Sequence, residues 1–394
     1  MTRWLGVLAV VVAACGGDGA SGDPDAAWEF DAACERRSPT PDGLRRGVVS
    51  LPYSASGGQA STYRVFELDP SGNSLTFTNE TFEMGRTTIG TIVFTPDREI
   101  GLVAQEDGSL GVFRIDRSYV TVVHRRFQGS FYAEQVVMDP GGFFAYVLDP
   151  NTRENGGGIY TVGIACDGTL TDHRLLLPAR SPRKLVLVSG AEAVLAAADV
   201  GVSSPAGHDV HWMDMSANPP ERVTGADAFG DDEAIVGGLV VTRDRRFVLV
   251  GDTSQFSGVP NRVAVVEITG VTTLTPRQVL TPVEDPLAIV TSPLNDAALV
   301  VSGFGDALLG LDYTPGGAAP FSVRGPLTYT GARPELPGHA VMIGPGTLSG
   351  MTLIAENLGV RRVRFGGNGT VIDLGKTETG TGTENIIGAI GIQQ

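Results

Sequence analysis

Four ionisable side chains lie directly ahead of apolar segments at comparable places in the sequence. Glu134, Lys184 and His339 each stand six residues before the turn of a recurring pattern, and Arg183 precedes Lys184. Lys184 is one of only two lysines, with Lys376, among 29 basic residues. A carboxylate, a histidine and two cations brought to one place could bind a polar or anionic molecule, or exchange protons with it.

Two further pairs extend this candidate ligand-binding set. Asp232 and Glu233 precede the apolar strand around Leu239, and Glu384 and Asn385 precede the last apolar segment. The alternative is a solvated rim whose charges pair with one another and contribute little energy.

Known catalytic motifs are missing from the sequence. There is no Gly-x-Ser-x-Gly and no P-loop, and the one Gly-x-Gly-x-x-Gly, at residues 17–22, opens no helix. His208, Asp209 and His211 invite a metal interpretation, but residues three apart point to opposite faces of a strand. We therefore expect no metal site and no cofactor, and we assign no catalytic residue.

A repeat positions these side chains. An apolar strand, a turn and a second apolar strand recur, as in TIVFTPDREIGLVAQ from Thr91 and QVVMDPGGFFAYVLD from Gln135. A second pair of strands follows each copy, marked by alternating apolar residues and Gly or Asp-Gly turns. The spacing of about 50 residues is typical of a propeller blade of four strands, roughly 40–50 residues long. The turns fall at Pro96, Pro140, Gly190, Arg243, Pro293 and Pro345.

The two ends of the repeat region complement each other. A seventh turn at Pro41 has a second strand after it but no first strand before it, whereas residues 386–393 (IIGAIGIQ) form a first strand without a turn. A ring must close to bury the faces of its terminal blades. The sequence therefore predicts an all-β, seven-bladed β-propeller over residues 41–394, with the C-terminal strand completing the first blade.

One face of such a propeller carries the candidate site. The connectors that enter the innermost strands share this face with the loops joining the second and third strands, while the Pro-containing turns lie on the opposite face. Long loops on a rigid scaffold often carry binding residues. The long loops here are residues 54–61, 150–158, 201–209 and 253–261.

This arrangement resembles the lactonase-like and YVTN-repeat seven-bladed propellers. The resembling residues are the Pro-Asp or Pro-Gly turns followed by strands such as GLVAQ and FFAYVLD. The resemblance implies a charged pocket at the channel mouth, where Glu134, Arg183, Lys184 and His339 could lie, but no family catalytic motif matches residue by residue. The WD40 and kelch types are disfavoured, since Trp-Asp pairs and recurring paired glycines are missing. A pair of β-sandwiches or a β-helix is the alternative fold.

The N-terminus has the pattern of a processing signal. Arg3 precedes an apolar run too short to span a bilayer, which ends in Val12-Ala13-Ala14-Cys15. This resembles the bacterial lipobox, which implies cleavage after residue 14, lipid on Cys15 and, with Gly16 next, an outer-membrane destination. The alternative is an ordinary secretory signal with a chance cysteine. Residues 15–40, rich in Gly, Ser, Asp and Pro, are predicted to be a flexible tether.

Charge and cysteine content limit the partners. The formal net charge of -15 disfavours nucleic acid, and we expect a monomer. Cys34 and Cys166 could form a disulfide or remain two thiols.

Two functions fit these features. The first is an envelope-anchored binding or scaffold propeller for a protein or glycan ligand, which would not be an enzyme. The alternative is a lactonase-like hydrolase that uses the charged pocket at the channel mouth.

Overall fold

The computed structural model describes twelve stretches of the chain, the first of which is the single residue Arg36. The described residues are 36, 43–116, 119–150, 157–197, 199–200, 209–230, 235–253, 261–270, 273–281, 283–344, 346–380 and 386–394.

The described residues form seven blades, each with four strands in order from an innermost to an outermost strand, and two of the seven sheets have a short fifth strand. Blade 1 contains β30 (Ala389–Ile392), β1 (Arg45–Tyr53), β2 (Gln59–Leu68) and β3 (Leu75–Glu83). Blade 2 contains β5 (Val93–Phe94), β6 (Ile100–Ala104), β7 (Leu110–Ile115) and β8 (Val120–Phe127). Blade 3 contains β9 (Gln135–Met138), β10 (Phe144–Asp149), β11 (Gly158–Ile164) and β12 (Leu170–Arg180). Blade 4 contains β13 (Lys184–Leu187), β14 (Glu192–Ala196), β16 (Val210–Asp214) and β17 (Glu221–Ala226).

The last three blades repeat the same order. Blade 5 contains β18 (Val236–Val241), β19 (Phe247–Asp252), β20 (Arg262–Thr269) and β21 (Thr273–Leu280). Blade 6 contains β22 (Pro286–Thr291), β23 (Ala298–Ser302), β24 (Ala307–Tyr313) and β25 (Phe321–Pro326). Blade 7 contains β26 (Ala340–Met342), β27 (Met351–Glu356), β28 (Gly359–Phe365) and β29 (Val371–Glu378). Two short strands, β4 (Gly90–Thr91) and β15 (Asp199–Val200), pair with β30 and β12.

The C-terminal strand closes the ring, which confirms the predicted seven-bladed propeller. β30 pairs antiparallel with β1, with Val48 opposite Gly391 and Val49 opposite Ile390. The approach to blade 2 is so close that a Cβ on Gly391 would lie 2.2 Å from the carbonyl oxygen of Ile92. Only glycine fits there.

The core consists of seven hydrophobic clusters among the described residues, one between each pair of neighbouring blades. Successive side chains of one strand enter different clusters because they point to opposite faces of the sheet. Val48 packs towards blade 2, for example, whereas Val49 packs towards blade 7. Each blade is therefore buried on both faces, and the ring has no free sheet face.

A hydroxyl–carboxylate turn explains the repeated spacing. In blade 2 the hydroxyl of Thr95 donates to Asp97 and accepts from the backbone N–H of Ile100. In blade 5 Thr242 makes the same bonds with Asp244 and Phe247. Because these bonds fix the turn between first and second strands, they also fix where each innermost strand begins.

Arg36 contacts the turn face of the propeller, although it falls within residues 15–40, the predicted tether. Its guanidinium donates to Asp97 at 2.9 Å and to the carbonyl of Ala165 at 2.7 Å. None of the described residues belongs to a helix with the length and apolarity needed to cross a membrane.

Candidate functional site

The residues aligned six before each turn line a single cavity at the mouth of the channel. The cavity has a volume of about 160 Å³ and is walled by the N-terminal ends of the innermost strands of blades 2 to 7. The regular repeat brings these ends together, because each strand enters the channel from the same face. The six aligned residues are Gly90, Glu134, Lys184, Gly237, Leu287 and His339.

Glu134 and Arg183 neutralise each other at this mouth. One guanidinium nitrogen of Arg183 lies 2.8 Å and 2.9 Å from the two carboxylate oxygens of Glu134. Both side chains remain about 40% exposed, so the bond itself contributes little stability. Its consequence is that Arg183 is already occupied by a carboxylate.

Lys184 is a cation without a bonded counter-ion. Its ammonium has no hydrogen-bond or ion-pair partner in the described part of the chain, although it keeps contact with the cavity. Burial lowers the pKa of Lys184 to about 8, with the charge of Arg183 lowering it further and that of Glu134 opposing the shift. At pH 7 the ammonium is therefore mostly charged, on a side chain that is only partly exposed.

His339 faces the same cavity from blade 7 as a neutral imidazole. It is 8% exposed. Burial lowers its pKa to about 3, and the positive charge of Lys184 lowers it further. A neutral imidazole offers one donor and one acceptor to a ligand, but a group with so low a pKa is a weak general base at pH 7.

The mouth also has an apolar part that the candidate charges did not predict. Ile89, Ile235 and Leu287 line it, and the two isoleucines are 55% and 46% exposed. The signal was present in the sequence, since Ile89 stands beside the aligned Gly90 and Leu287 is itself an aligned position. The mouth thus combines a cation, a neutral imidazole and apolar side chains.

The other predicted ligand-binding residues fall outside the part of the chain that the structure describes. Asp232, Glu233, Glu384 and Asn385, together with Cys15 and Cys34, lie outside the described residues. The same is true of most of the loops at 150–158, 201–209 and 253–261. Cys166 is partly buried in the turn between β11 and β12, and its pairing with Cys34 stays a prediction.

One of the two histidines near Trp212 belongs to the buried core. His211 is fully buried, and its Nε2 lies 3.0 Å from the carbonyl oxygen of Ala197. Burial raises the pKa of Asp209 to about 7, although hydrogen bonds from the backbone N–H groups of Ala228 and Phe229 oppose this rise. His208 lies outside the described residues, and no group of three metal-binding side chains occurs within them.

A larger cavity, about 420 Å³, lies on the turn face. Two arginines line it: Arg324 is bonded to the Asp312 carboxylate, and Arg243 is exposed to solvent. Neither is a partly buried cation without a bonded counter-ion, as Lys184 is in the mouth.

Comparison with known proteins identifies the fold. Neither protein-family models nor curated protein sequences match the chain. A solved structure from Lactobacillus plantarum is similar with a TM-score of 0.65 at 12% identity, covering 89% of this chain and 100% of the other. A provisionally named 6-phosphogluconolactonase from Bacteroides fragilis has a TM-score of 0.60 at 11% identity, and the match covers 90% of this chain and 99% of the other. A protein of the same provisional name from Bacteroides uniformis has a TM-score of 0.58 at 12% identity, and the match covers 89% of this chain and 100% of the other. The chain therefore shares the seven-bladed propeller fold of proteins that include these lactonase-like propellers.

Proposed function

We propose that this propeller is a binding module whose site is the channel mouth and whose ligand presents a carboxylate or phosphate to Lys184. The observation that carries the proposal is the ammonium of Lys184, which lacks a bonded counter-ion while the adjacent Arg183 is paired with Glu134. An enclosed charge is costly to keep unless it is paired. A bound anion supplies the missing partner, and the neutral His339 adds a hydrogen bond.

Calorimetric titration with gluconate and inorganic phosphate tests this proposal. We expect Lys184→Met to weaken anion binding at least tenfold, because the variant keeps the shape of the site and removes its charge. Arg126→Met is the matched control. It also removes one positive charge, but from β8, where Arg126 forms an exposed ion pair with Asp107. Equal binding by wild type and Lys184→Met would place the anion elsewhere and end the proposal.

The pH dependence of binding follows from the pKa of Lys184. Because an anion binds the ammonium and not the amine, affinity should be constant below about pH 7 and fall as the pH rises through about 8, the pKa of Lys184 in the free protein. Titration with gluconate from pH 6 to 9.5 measures this, because its carboxylate stays ionised over the whole range. An affinity that stays level across this range would mean that Lys184 does not hold the anion.

A second candidate function is hydrolysis of a cyclic ester at the same mouth. Two structural neighbours carry 6-phosphogluconolactonase as their provisional name, and the pKa of Lys184, about 8, suits proton transfer near neutral pH. Against it, His339 is a weak base and Glu134 is held by Arg183. The rate of proton release during hydrolysis of 6-phosphogluconolactone tests this function. A rate equal to that in buffer without protein would exclude it, whereas a faster rate that is lost in Lys184→Met would support it.

We further propose that the propeller is displayed on the cell envelope by lipid on Cys15. The charge, apolar run and small residues that precede Cys15 support this, and an envelope protein or glycan bearing a carboxylate has the chemistry that the mouth accepts. Cys15→Ser should move the protein from the membrane fraction to the soluble fraction and abolish incorporation of labelled palmitate. A variant that stays in the membrane fraction would refute lipid anchoring.

A further inference from the structure

An apolar groove lies beside the channel mouth on the same face. Its volume is about 180 Å³, and the connectors around blades 6, 7 and 1 form its walls. Phe304 is 62% exposed and Ile386 is 36% exposed, so both present apolar surface to the groove. Leu336 and Pro337 complete the apolar wall.

The groove adjoins the mouth. Ile89 and Leu287 line both cavities, so the boundary between them is formed by apolar side chains. Lys184 belongs to blade 4, whereas the groove lies against blades 6, 7 and 1 across the ring. A molecule that contacts both must cross the mouth past His339.

Hydrogen bonds within the chain fix the walls of the groove. The buried carboxylate of Asp285 accepts from the backbone N–H of Phe304 at 3.0 Å, and the backbone carbonyl of Asp285 accepts from Gly303. On the facing wall, the backbone N–H of Leu336 donates to Asp306 at 2.7 Å. The apolar surface is therefore preorganised, which reduces the entropic cost of binding.

We propose that the ligand is an amphipathic carboxylate, whose anionic end lies at Lys184 and whose apolar part fills the groove beside Phe304. This proposal rests on the proposed anion site and adds the chemical class of the ligand. The volume suits an apolar group of modest size, since an enclosed cavity of about 150 Å³ holds a benzene molecule. Charge at one end and apolar surface at the other select a molecule with both features over a plain anion.

A series of linear carboxylates tests the proposal by calorimetry on the full propeller. Acetate, butanoate, hexanoate and octanoate keep the anionic group constant while the chain lengthens, and 1-hexanol supplies the chain without the charge. We expect the Kd to fall about twofold to threefold for each methylene buried in the open groove, and octanoate to bind at least tenfold more tightly than acetate. Hexanol should bind at least tenfold more weakly than hexanoate.

Two variants separate the groove from the anion site. The double variant Phe304→Ser with Ile386→Ser should remove most of the dependence on chain length while leaving acetate binding unchanged. Tyr119→Ser is the matched control, because Tyr119 is an aromatic residue 59% exposed near the outer strands of blade 2. Lys184→Met should weaken every carboxylate but not hexanol.

The outcomes distinguish the two proposals. Equal affinity for acetate and octanoate would overturn the groove assignment while leaving the anion site intact. The groove would then bind something else, such as a protein segment. Hexanol binding as tightly as hexanoate would overturn the linked site. Failure of every carboxylate to bind would overturn the proposed function, and this inference with it.

Discussion

Lys184 combines two properties that oppose each other in a folded protein. Burial disfavours its charge, yet its charge has no bonded partner among the described residues, and the neighbouring Arg183 adds repulsion. Such an arrangement lowers stability, and it persists in proteins where the group serves binding or catalysis. The residue should therefore stabilise the ligand-bound protein and destabilise the free one.

Replacing Lys184 should make the ligand-free propeller more stable. We expect Lys184→Met to raise the free energy of unfolding by about 1–3 kcal/mol at pH 7, because the enclosed charge is removed and the side-chain volume is kept. Since the pKa is about 8 in the folded protein and 10.5 is its ordinary value, the gain should be full below about pH 8 and fade as the pH approaches 10.5. Urea unfolding at several pH values measures it.

Arg126→Met serves again as the control for this measurement, and its effect should stay within about 0.5 kcal/mol because the pair with Asp107 is exposed. A loss of stability in Lys184→Met would show that the ammonium makes a favourable interaction in the free protein, contrary to the geometry at the mouth.

At the scale of elements, a buried ion cluster in blade 7 holds the connector that delivers His339. Arg361 is fully buried and donates to Glu356 at 2.9 Å and to Asp373 at 2.8 Å. It also donates to the carbonyl of Ala332, in the connector between β25 and β26. The cluster therefore ties the strands of blade 7 to a wall of the mouth.

Breaking this cluster should cost far more than breaking a surface pair. We expect Arg361→Met to lower the free energy of unfolding by about 3–5 kcal/mol at pH 7, because Asp373 would lose its ion-pair partner and Glu356 would keep only the more distant Lys376, at 3.8 Å. Burial already raises the pKa of Glu356. Protonation of this carboxylate should therefore reduce the difference in unfolding free energy between the variant and wild type as the pH falls towards 4. Thermal unfolding at pH 4.5 and pH 7 measures both effects.

Arg324→Met is the matched control for Arg361→Met, since it removes an arginine from an exposed pair with Asp312 on blade 6. Its effect should stay within about 0.5 kcal/mol. If the two variants lost equal stability, the buried cluster would not be what holds the connector.

The sequence predicted what repeats and missed what occurs once. The aligned residues Glu134, Lys184 and His339 could be placed at one mouth because the blade period determines where each innermost strand begins. The groove beside Phe304 and the ion cluster around Arg361 arise where particular connectors from different blades meet. Neither has a periodic signal, so neither could be predicted from one sequence.

At the scale of the whole molecule, the ring depends on a strand from the far end of the chain. β30 contributes Ala389, Ile390 and Ile392, all 0–1% exposed, to the clusters between blade 1 and its two neighbours. The backbone N–H of Ile92 in blade 2 also donates to the carbonyl of Ile390 at 2.9 Å. Strands β1, β2 and β3 of blade 1 are therefore held to β30 by strand pairing and packing rather than by a covalent link.

Removing residues 389–394 should therefore open the ring and not merely shorten it. Burying one isoleucine is worth about 2–5 kcal/mol in a core, so loss of two, with their strand bonds, removes much of a typical stability of about 5–15 kcal/mol. We expect the truncated protein to lose its single cooperative unfolding transition, measured by calorimetry, and a peptide of residues 386–394 added in trans to restore it. The same peptide with Gly391→Val should not, because the added side chain would meet the carbonyl of Ile92. A truncated protein that unfolds like wild type would show that the blades hold together without the closing strand.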